Sequence, residues 1–248
     1  MFQGFYNLSS GMLTQNRGLS VLSNNLTNVS TPGYKKDTMT STTFQQELMY
    51  RNAVMSGTSQ QIGSINMVKV PQQTITDFSA GNIKPTGGNL DFAITGNGFF
   101  KVETENGIAY TRNGSFYVDE EGCLALKGAG KVQGTGGEIF LESDSIFTNG
   151  AGSIYDSQGE EIDQLEIVDF EDYTSLVKQP NGLFTTDAEE IEVETPSVMN
   201  QTLEISNSDT IKEMQNMMTA QRSLQSASQV LKMYDMIMAK ATTEIGRV

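Results

Sequence analysis

Residues 5–29 read FYNLSSGMLTQNRGLSVLSNNLTNV, and their apolar side chains recur at alternating steps of three and four positions. An apolar residue about every 3.5 positions is typical of helices that pack along one another. The same period returns in residues 217–245, which predicts one such helix near each end of the chain. Each helix needs a partner for its apolar side, and that partner is either the other terminal helix or another molecule. We call the periodic apolar positions the seam; its residues are Phe5, Leu8, Met12, Leu19, Leu22, Leu26 and Val29, with Met217, Leu224, Leu231, Tyr234, Met238 and Ile245.

The composition predicts a moderate hydrophobic core and no direct membrane insertion. The length of 248 residues suits one large domain or two modest ones. Hydrophobic residues make up 37% of the chain, and the mean hydropathy is −0.32. No stretch reaches the roughly 18 apolar residues that a membrane-spanning helix needs. The first residues lack a basic segment followed by an apolar run, so we expect no cleavable secretory signal.

The residue types that most often carry catalysis and metal binding are scarce. The chain has no histidine and one cysteine, Cys123, which excludes an internal disulfide and a Cys/His zinc site. The GAGK stretch at residues 128–131 lacks the earlier glycine and the following Ser or Thr of a phosphate-binding loop. Adjacent acids such as Glu160 and Glu161 are more typical of a solvated edge than of a catalytic carboxylate pair. We expect no catalytic residue, no cofactor and no bound metal.

Charge is distributed unevenly along the chain. The net charge is −14, and residues 37–200 alone hold 8 basic and 25 acidic residues. A segment with this excess of acid is expected to face solvent, whereas the nearly neutral ends are suited to close packing. Duplex nucleic acid is excluded as a partner because no basic face is present to neutralise phosphates.

Local signals divide the chain into helical ends and a β-rich centre. The first helix is expected over about residues 4–29, because Thr31-Pro32-Gly33 stops it. Short β-branched and aromatic runs between turn residues predict an all-β module over residues 90–198. Ser206 and Asp209 are expected to cap the last helix, over about residues 209–244.

The fold class expected is therefore α+β, with the N- and C-terminal helices forming a coiled-coil-like pair beside a central all-β domain. The domains expected are an N-terminal helix and turn (1–36), an extended linker with short strands (37–89), a central β-rich domain (90–200) and a C-terminal helix (201–248).

Several motifs, taken together, resemble the bacterial flagellar rod and hook proteins. LSNNLTNVSTPGYK (residues 22–35) is similar to their N-terminal signature, and LDFAITGNGFFKV (90–102) with YTRNGSF (110–116) is similar to their central strand block. SNSD (206–209) and the later QRSL (221–224) resemble their C-terminal helix signature. The motifs occur in the family's order and span the whole chain. Within the first motif, the signature residues are Asn24, Asn25, Asn28, Gly33 and Tyr34.

The resemblance implies a structural axial subunit of the flagellar basal-body rod, of the proximal or distal type. Such a subunit polymerises through its terminal helices into a helical tube that transmits torque from motor to hook. The implied partners are copies of itself, other rod and hook axial proteins, and the flagellar type III export apparatus. The implied location is the basal body in the cell envelope, after export from the cytoplasm.

Two other classes of function remain open on the residues alone. A β-domain adhesin or scaffold protein would need only an intramolecular helical stalk, made of the two seams. A carbohydrate-active enzyme would need two carboxylates across a cleft, and no residues assemble a nucleophile, a base and an orienting group.

Overall fold

The computed structural model of the chain describes residues 2–52, 59–141, 146–156, 158–193 and 196–245. Two long helices, α1 (Phe2–Thr27) and α2 (Thr210–Ile245), lie at the two ends of the sequence, with the strands between them. The α+β class predicted from the sequence is confirmed. Among these residues, no helix combines the length and the hydrophobicity that a bilayer-spanning segment requires.

Nineteen strands and one short 3-10 helix (Tyr173–Ser175) are present in the described ranges. The strands are β1 (Asp37–Asn52), β2 (Ser59–Thr76), β3 (Ile83–Pro85), β4 (Phe92–Ile94), β5 (Phe99–Thr104), β6 (Gly107–Thr111), β7 (Phe116–Val118), β8 (Leu124–Leu126), β9 (Gly130–Gly134), β10 (Gly137–Glu138), β11 (Phe147–Thr148), β12 (Ser153–Tyr155), β13 (Glu161–Gln164), β14 (Ile167–Asp169), β15 (Val177–Lys178), β16 (Phe184–Thr185), β17 (Ile191–Glu192), β18 (Val198–Asn200) and β19 (Thr202–Glu204).

The segment expected to be a linker with short strands instead contains the two longest strands. β1 has 16 residues and β2 has 18, and they pair in a two-stranded sheet. Both are rich in Thr, Gln and Ser, and neither shows sustained alternation of apolar and polar residues. That alternation is the signal by which a half-buried strand is predicted, so a polar two-stranded ribbon escapes it.

The central β-rich region is organised around one antiparallel sheet of ten strands that differ in length. Its main path runs in the order β15-β16-β6-β5-β9-β8-β7, with β10 beside β9 and with β14 joining β5 to β17. The β5–β6 hairpin pairs Thr104 with Gly107, and Gly107 has a φ of 112° that favours glycine at this tight turn. Two short pairs, β18–β4 and β19–β3, bring residues 198–204 next to residues 83–94.

The two faces of β5 are covered by two hydrophobic clusters. Successive side chains of a strand point to opposite faces, so Phe100 enters the larger cluster and Phe99 the smaller one. The Phe99 ring lies within about 6 Å of the rings of Phe78, Phe170 and Phe184, among others. Both phenylalanines are at most 1% exposed, which makes β5 the centre of the core.

The chain divides into two compact units, each assembled from separate stretches of sequence. The first consists of residues 1–26, 37–75 and 210–248 and holds both long helices and the β1–β2 ribbon. The second consists of residues 27–36 and 76–209 and holds the aromatic core. The turn that follows α1 thus belongs with the β-rich unit.

Candidate assembly site

Within the first unit, the two terminal helices touch at three levels. Gln15 Nε2 lies 3.5 Å from Ser223 Oγ, and a Cβ on Gly4 would lie 3.4 Å from the Tyr234 hydroxyl. Further along α1, a shallow groove is lined by Leu19, Ser20, Ser23 and Asn24 together with Met217 and Gln221 of α2. As the residue number rises along α1 it falls along α2, so the helices run antiparallel at these contacts.

The seam residues are half-buried on both helices. The exception among those with a described side chain is Phe5, which is 38% exposed at the N-terminal end of α1. The side chain of Ile245 lies outside the described part of the structure. The remaining seam residues on the helices share intermediate burial: Leu8, Met12, Leu19, Leu22, Leu26, Met217, Leu224, Leu231, Tyr234 and Met238. Val29 is also half-buried, but it lies beyond the end of α1, in the turn of the second unit.

A second set of apolar residues on α2 is largely exposed to solvent. We call these residues the outer face; its two groups, each spaced i, i+3 and i+7, are Ile211, Met214 and Met218 near the start and Val230, Met233 and Ile237 near the end. The second group is turned by about 100° around the helix axis from the first. Their exposed fractions range from 46% for Val230 to 71% for Ile211. Sequence periodicity at the seam did not identify this set, because these residues fall outside the heptad positions.

The signature residue Asn25 joins the end of α1 to the start of β1. Its amide group donates to Asp37 O at 2.8 Å and accepts from Asp37 N at 2.9 Å, and the side chain is 1% exposed. This paired amide contact copies the hydrogen bonding between two strands. Asn28 lies in the following turn, where its Oδ1 accepts from the Thr31 hydroxyl, and Asn24 borders the groove shared with α2.

The last two signature residues lie in the turn, within the second unit. Gly33 has a φ of 67°, and a Cβ there would approach Asn113 N to 2.2 Å. The Tyr34 ring packs under the ammonium group of Lys178, whose Nζ is 3.9 Å from the ring centre. Lys178 also donates to Lys35 O at 2.6 Å, so its side chain contacts both Tyr34 and Lys35.

A buried charge cluster follows directly after the signature residues. Lys35 Nζ lies 2.7 Å from Glu204 Oε1, and Arg112 Nη1 lies 3.3 Å from Glu204 Oε2. Their side chains are 1%, 2% and 5% exposed for Lys35, Glu204 and Arg112. Backbone oxygens complete the cluster, since Lys35 also donates to Ser79 O and Arg112 to Gly96 O.

Burial of the cluster has a measurable electrostatic cost at Lys35. Removal of its ammonium group from water lowers the pKa of Lys35 below 10.5, and the hydrogen bond and charge of Glu204 only partly oppose this shift. Lys35 and Arg112 lie within the two quoted family motifs, but sequence reasoning assigned no role to them and did not single out Glu204. Nothing in the sequence links Lys35 with a carboxylate 169 positions later, because only the fold brings them together.

Two other groups of polar side chains lie in the β-rich unit, one around Lys101 and one around Cys123. Lys101 Nζ lies 2.8 Å from both Glu166 and Glu190; burial alone would lower the pKa of Lys101, but these two hydrogen bonds outweigh burial and raise it. Asp119, Glu121 and Cys123 hold their ligand atoms within 4.8 Å of one another. Burial raises the pKa of the Cys123 thiol, which disfavours the thiolate that a metal would bind.

Family models match both terminal helices and most of the central β-rich region, and leave residues 36–92 with β1 and β2 unmatched. Residues 5–35 match "Flagella basal body rod protein", residues 93–211 match "Flagellar hook protein FlgE/F/G D1 domain", and residues 199–244 match "Flagellar basal body rod FlgEFG protein C-terminal". The third match includes Glu204 and the outer face, and the first includes the signature residues.

Full-length relatives show the same similarity. The chain is 33% identical to the flagellar basal-body rod protein FlgG of Bacillus subtilis (strain 168), over 96% of this chain and 97% of that protein. It is 28% identical to the flagellar hook-basal body complex protein FlhO of the same organism, over the full length of both. It is 27% identical to the flagellar basal-body rod protein FlgF of Caulobacter vibrioides, over 96% of each.

Proposed function

We propose, from the premise that this chain belongs to the flagellar basal-body rod protein family, that it builds the rod by polymerising through its terminal helices. The matches to family models and relatives confirm the family predicted from the sequence. They also confirm that the protein is located in the flagellar basal body. The observation that carries the proposal is the outer face of α2, which is apolar and exposed in the single chain.

The seam and the outer face have separate roles in this proposal. The half-buried seam residues pack α1 against α2 in a coiled-coil-like pair, which the antiparallel contacts Gln15–Ser223 and Gly4–Tyr234 support. The outer face then docks on the helices of neighbouring subunits. Burying one large apolar side chain contributes roughly 1.5–3 kcal/mol, so the six outer-face residues favour association strongly.

Contacts between subunits that do not close into a ring produce a helical tube. Among the residues of α1 with described side chains (4–27), no apolar set matches the outer face in size, and Tyr6 and Leu13 are the most exposed large hydrophobic residues there. A contact between unlike surfaces is heterologous, and repeating it without ring closure produces a helical polymer. Such a tube, continuous with other rod and hook axial proteins, would transmit torque from motor to hook.

The same proposal assigns roles to the remaining segments. The domain boundaries proposed are 1–36 for the N-terminal axial helix and its turn, 37–89 for a linking segment that holds β1 and β2, 90–200 for the central β-rich domain and 201–248 for the C-terminal axial helix. The acidic central domain would lie away from the tube axis, because like charges repel. Export through the flagellar type III apparatus would deliver the chain to the growing rod.

The test compares polymer formation by Leu224→Asp with that by Gln225→Asp. Leu224 is a half-buried seam residue, whereas its neighbour Gln225 is exposed, so both variants add one negative charge to the same turn of α2. We expect Leu224→Asp to abolish sedimentable polymer while near-UV circular dichroism of the aromatic core stays native. Normal polymers from Leu224→Asp would refute the role of the seam.

Hydrogen exchange on the dilute monomer distinguishes this function from a self-contained helical stalk. Residues 2–27 and 210–245 should exchange faster in the monomer than in the polymer, because the seam is only half-buried and the outer face is exposed until neighbouring subunits pack on them. Full protection of both helices in the monomer would instead support an adhesin or scaffold protein with an intramolecular stalk.

A further inference from the structure

Residues 33–36, which we call the strap, belong to the second unit and are joined to the rest of that unit by a small number of hydrogen bonds. Gly33 N donates to Glu204 O at 2.7 Å, Lys35 Nζ to Glu204 Oε1 at 2.7 Å, and Lys36 N to Asn207 Oδ1 at 2.8 Å. Three donors of the strap are therefore accepted by two residues that lie about 170 positions later in the chain.

Residues 202–207, which we call the template, have contacts of their own that do not involve the strap. β19 pairs with β3, with Glu204 opposite Ile83, and Ile205 N donates to Asn82 O at 2.9 Å. Thr202 N donates to Asp91 O at 3.3 Å. The Leu203 side chain is 9% exposed, so the template is also held by apolar burial.

The template also prepares the surface on which the strap lies. Asn207 Nδ2 donates to Asp77 O at 2.7 Å and to Ser79 O at 3.2 Å, while Glu204 Oε1 accepts from Gly81 N at 2.7 Å. Residues 77–81 are thus fixed by the template, and Asp77 N then donates to Lys36 O at 2.9 Å. The strap therefore contacts the template, residues 77–81 and Lys178, whose Nζ donates to Lys35 O at 2.6 Å.

We propose that these contacts impose an order of closure, in which the template seats on β3 first and the strap docks second. The dependence is unequal: three donors of the strap reach acceptors on the template, whereas the pairing of the template with β3 uses no atom of the strap. This device concerns the folding of one chain and holds whether or not the chain polymerises through its helices.

Amide hydrogen exchange measured by NMR on the full chain tests this order. The amides of Gly33, Lys36 and Asp77 report on the strap, and those of Thr202 and Ile205 report on the template. Gly33→Ala blocks strap docking, because its Cβ would clash with the backbone of Arg112 and Asn113. Leu203→Asp unseats the template by placing a charge in a buried position.

The two variants should give unequal patterns. Gly33→Ala is expected to accelerate exchange about tenfold at Lys36 and Asp77 and to leave Thr202 and Ile205 unchanged. Leu203→Asp is expected to accelerate exchange at both sets. Equal acceleration of both sets by Gly33→Ala, or a strap that stays protected in Leu203→Asp, would overturn the proposed order.

A milder variant keeps the test valid if Leu203→Asp does not fold, as judged by lost protection in β5 and β9. Asn207→Ala removes the acceptor of Lys36 N without burying a charge, and it should accelerate strap exchange about tenfold. Asn82→Ala is the matched control, since its exposed side chain can be removed while its backbone acceptor for Ile205 remains. Unchanged exchange at Lys36 in Asn207→Ala would also refute the proposal.

Discussion

Lys35 and Glu204 form a buried ion pair across 169 positions of sequence, with 2.7 Å between Nζ and Oε1. Arg112 approaches the same carboxylate from the other side, so one anion serves two cations. The cluster is therefore asymmetric in charge: without Lys35 it is a balanced pair, and without Glu204 it is two unpaired buried cations. Carbonyl groups and the Phe99 ring, whose centre is 5.3 Å from Arg112 Cζ, provide the remaining compensation.

The asymmetry predicts unequal effects of two charge-removing substitutions. Glu204→Gln should lower the free energy of unfolding by about 3–5 kcal/mol, because it leaves both cations without a carboxylate. Lys35→Met should change it by about 1.5 kcal/mol or less, since Arg112 and the Gly81 amide still satisfy Glu204. Urea unfolding of both variants measures this, and equal losses would contradict the asymmetry.

The lowered pKa of Lys35 predicts how stability changes at alkaline pH. Burial disfavours the charged form in the folded state, so the folded pKa lies below the unfolded value of 10.5. The resulting penalty is fully present below the folded pKa and is relieved as the pH rises towards 10.5. Wild type should therefore gain stability relative to Lys35→Met as the pH rises through this window, as urea midpoints at a series of pH values would reveal. A difference that stays constant would argue against the shift.

Asp77 predicts the same direction of pH dependence, a stability that rises with pH, but in the acidic range. The Ser79 backbone N–H donates to its carboxylate at 3.0 Å and lowers the pKa of Asp77 below 3.8, with Lys36 also contributing. Its contribution to stability is present above pH 3.8 and is lost as the pH falls through the folded pKa. The stability difference between wild type and Asp77→Asn should shrink between about pH 5 and pH 2. Thermal unfolding across this range measures it, and a difference independent of pH would exclude this role.

We expect alanine substitution to lower the free energy of unfolding strongly at Phe99, in the aromatic core, and weakly at Phe147. Phe99 is 1% exposed and packs among several aromatic rings, so Phe99→Ala should cost about 3–5 kcal/mol. Phe147 is 64% exposed, and Phe147→Ala removes the same atoms with an expected change within about 1 kcal/mol. Denaturant midpoints of the two variants measure the difference in stability. Similar losses would contradict the assignment of Phe99, and not Phe147, to the hydrophobic core.

The outer face predicts a change in association without a change in monomer stability. Ile237→Asp places a charge on a side chain that is 64% exposed, so the monomer should change by about 0.5 kcal/mol or less. Sedimentable polymer should nevertheless be lost, because the charge would be buried between subunits. Gln229→Asp on the same helix is exposed and polar, and it serves as the control. Polymer formation by Ile237→Asp at the wild-type critical concentration would exclude the outer face from the contact.

The sequence predicted those elements whose signals are local. The periodic seams placed the helices over about 4–29 and 209–244, within two residues of α1 (Phe2–Thr27) and α2 (Thr210–Ile245). The stop signal at Thr31-Pro32-Gly33 was likewise local, and in the structure Thr31 N donates to Asn28 O at 3.1 Å in the turn that follows α1.

Features that depend on distant residues could not be predicted in the same way. The β1–β2 ribbon is polar along much of its length and gives no alternating pattern. The charge cluster joins Lys35, Arg112 and Glu204, and each of them alone resembles an ordinary surface charge in the sequence. Their burial follows from the path of the chain, which brings a residue after α1 beside one before α2.

The discontinuous second unit has a practical consequence for dissecting the chain. A fragment limited to residues 90–200 would contain Arg112 but neither Glu204 nor Lys35. The guanidinium group would then be left without its carboxylate at a position that the intact fold excludes from water. Limited proteolysis or recombinant dissection at the limits of the central strands would therefore yield an unstable product, whereas covalently linking residues 27–36 to 76–209 would preserve the whole charge cluster.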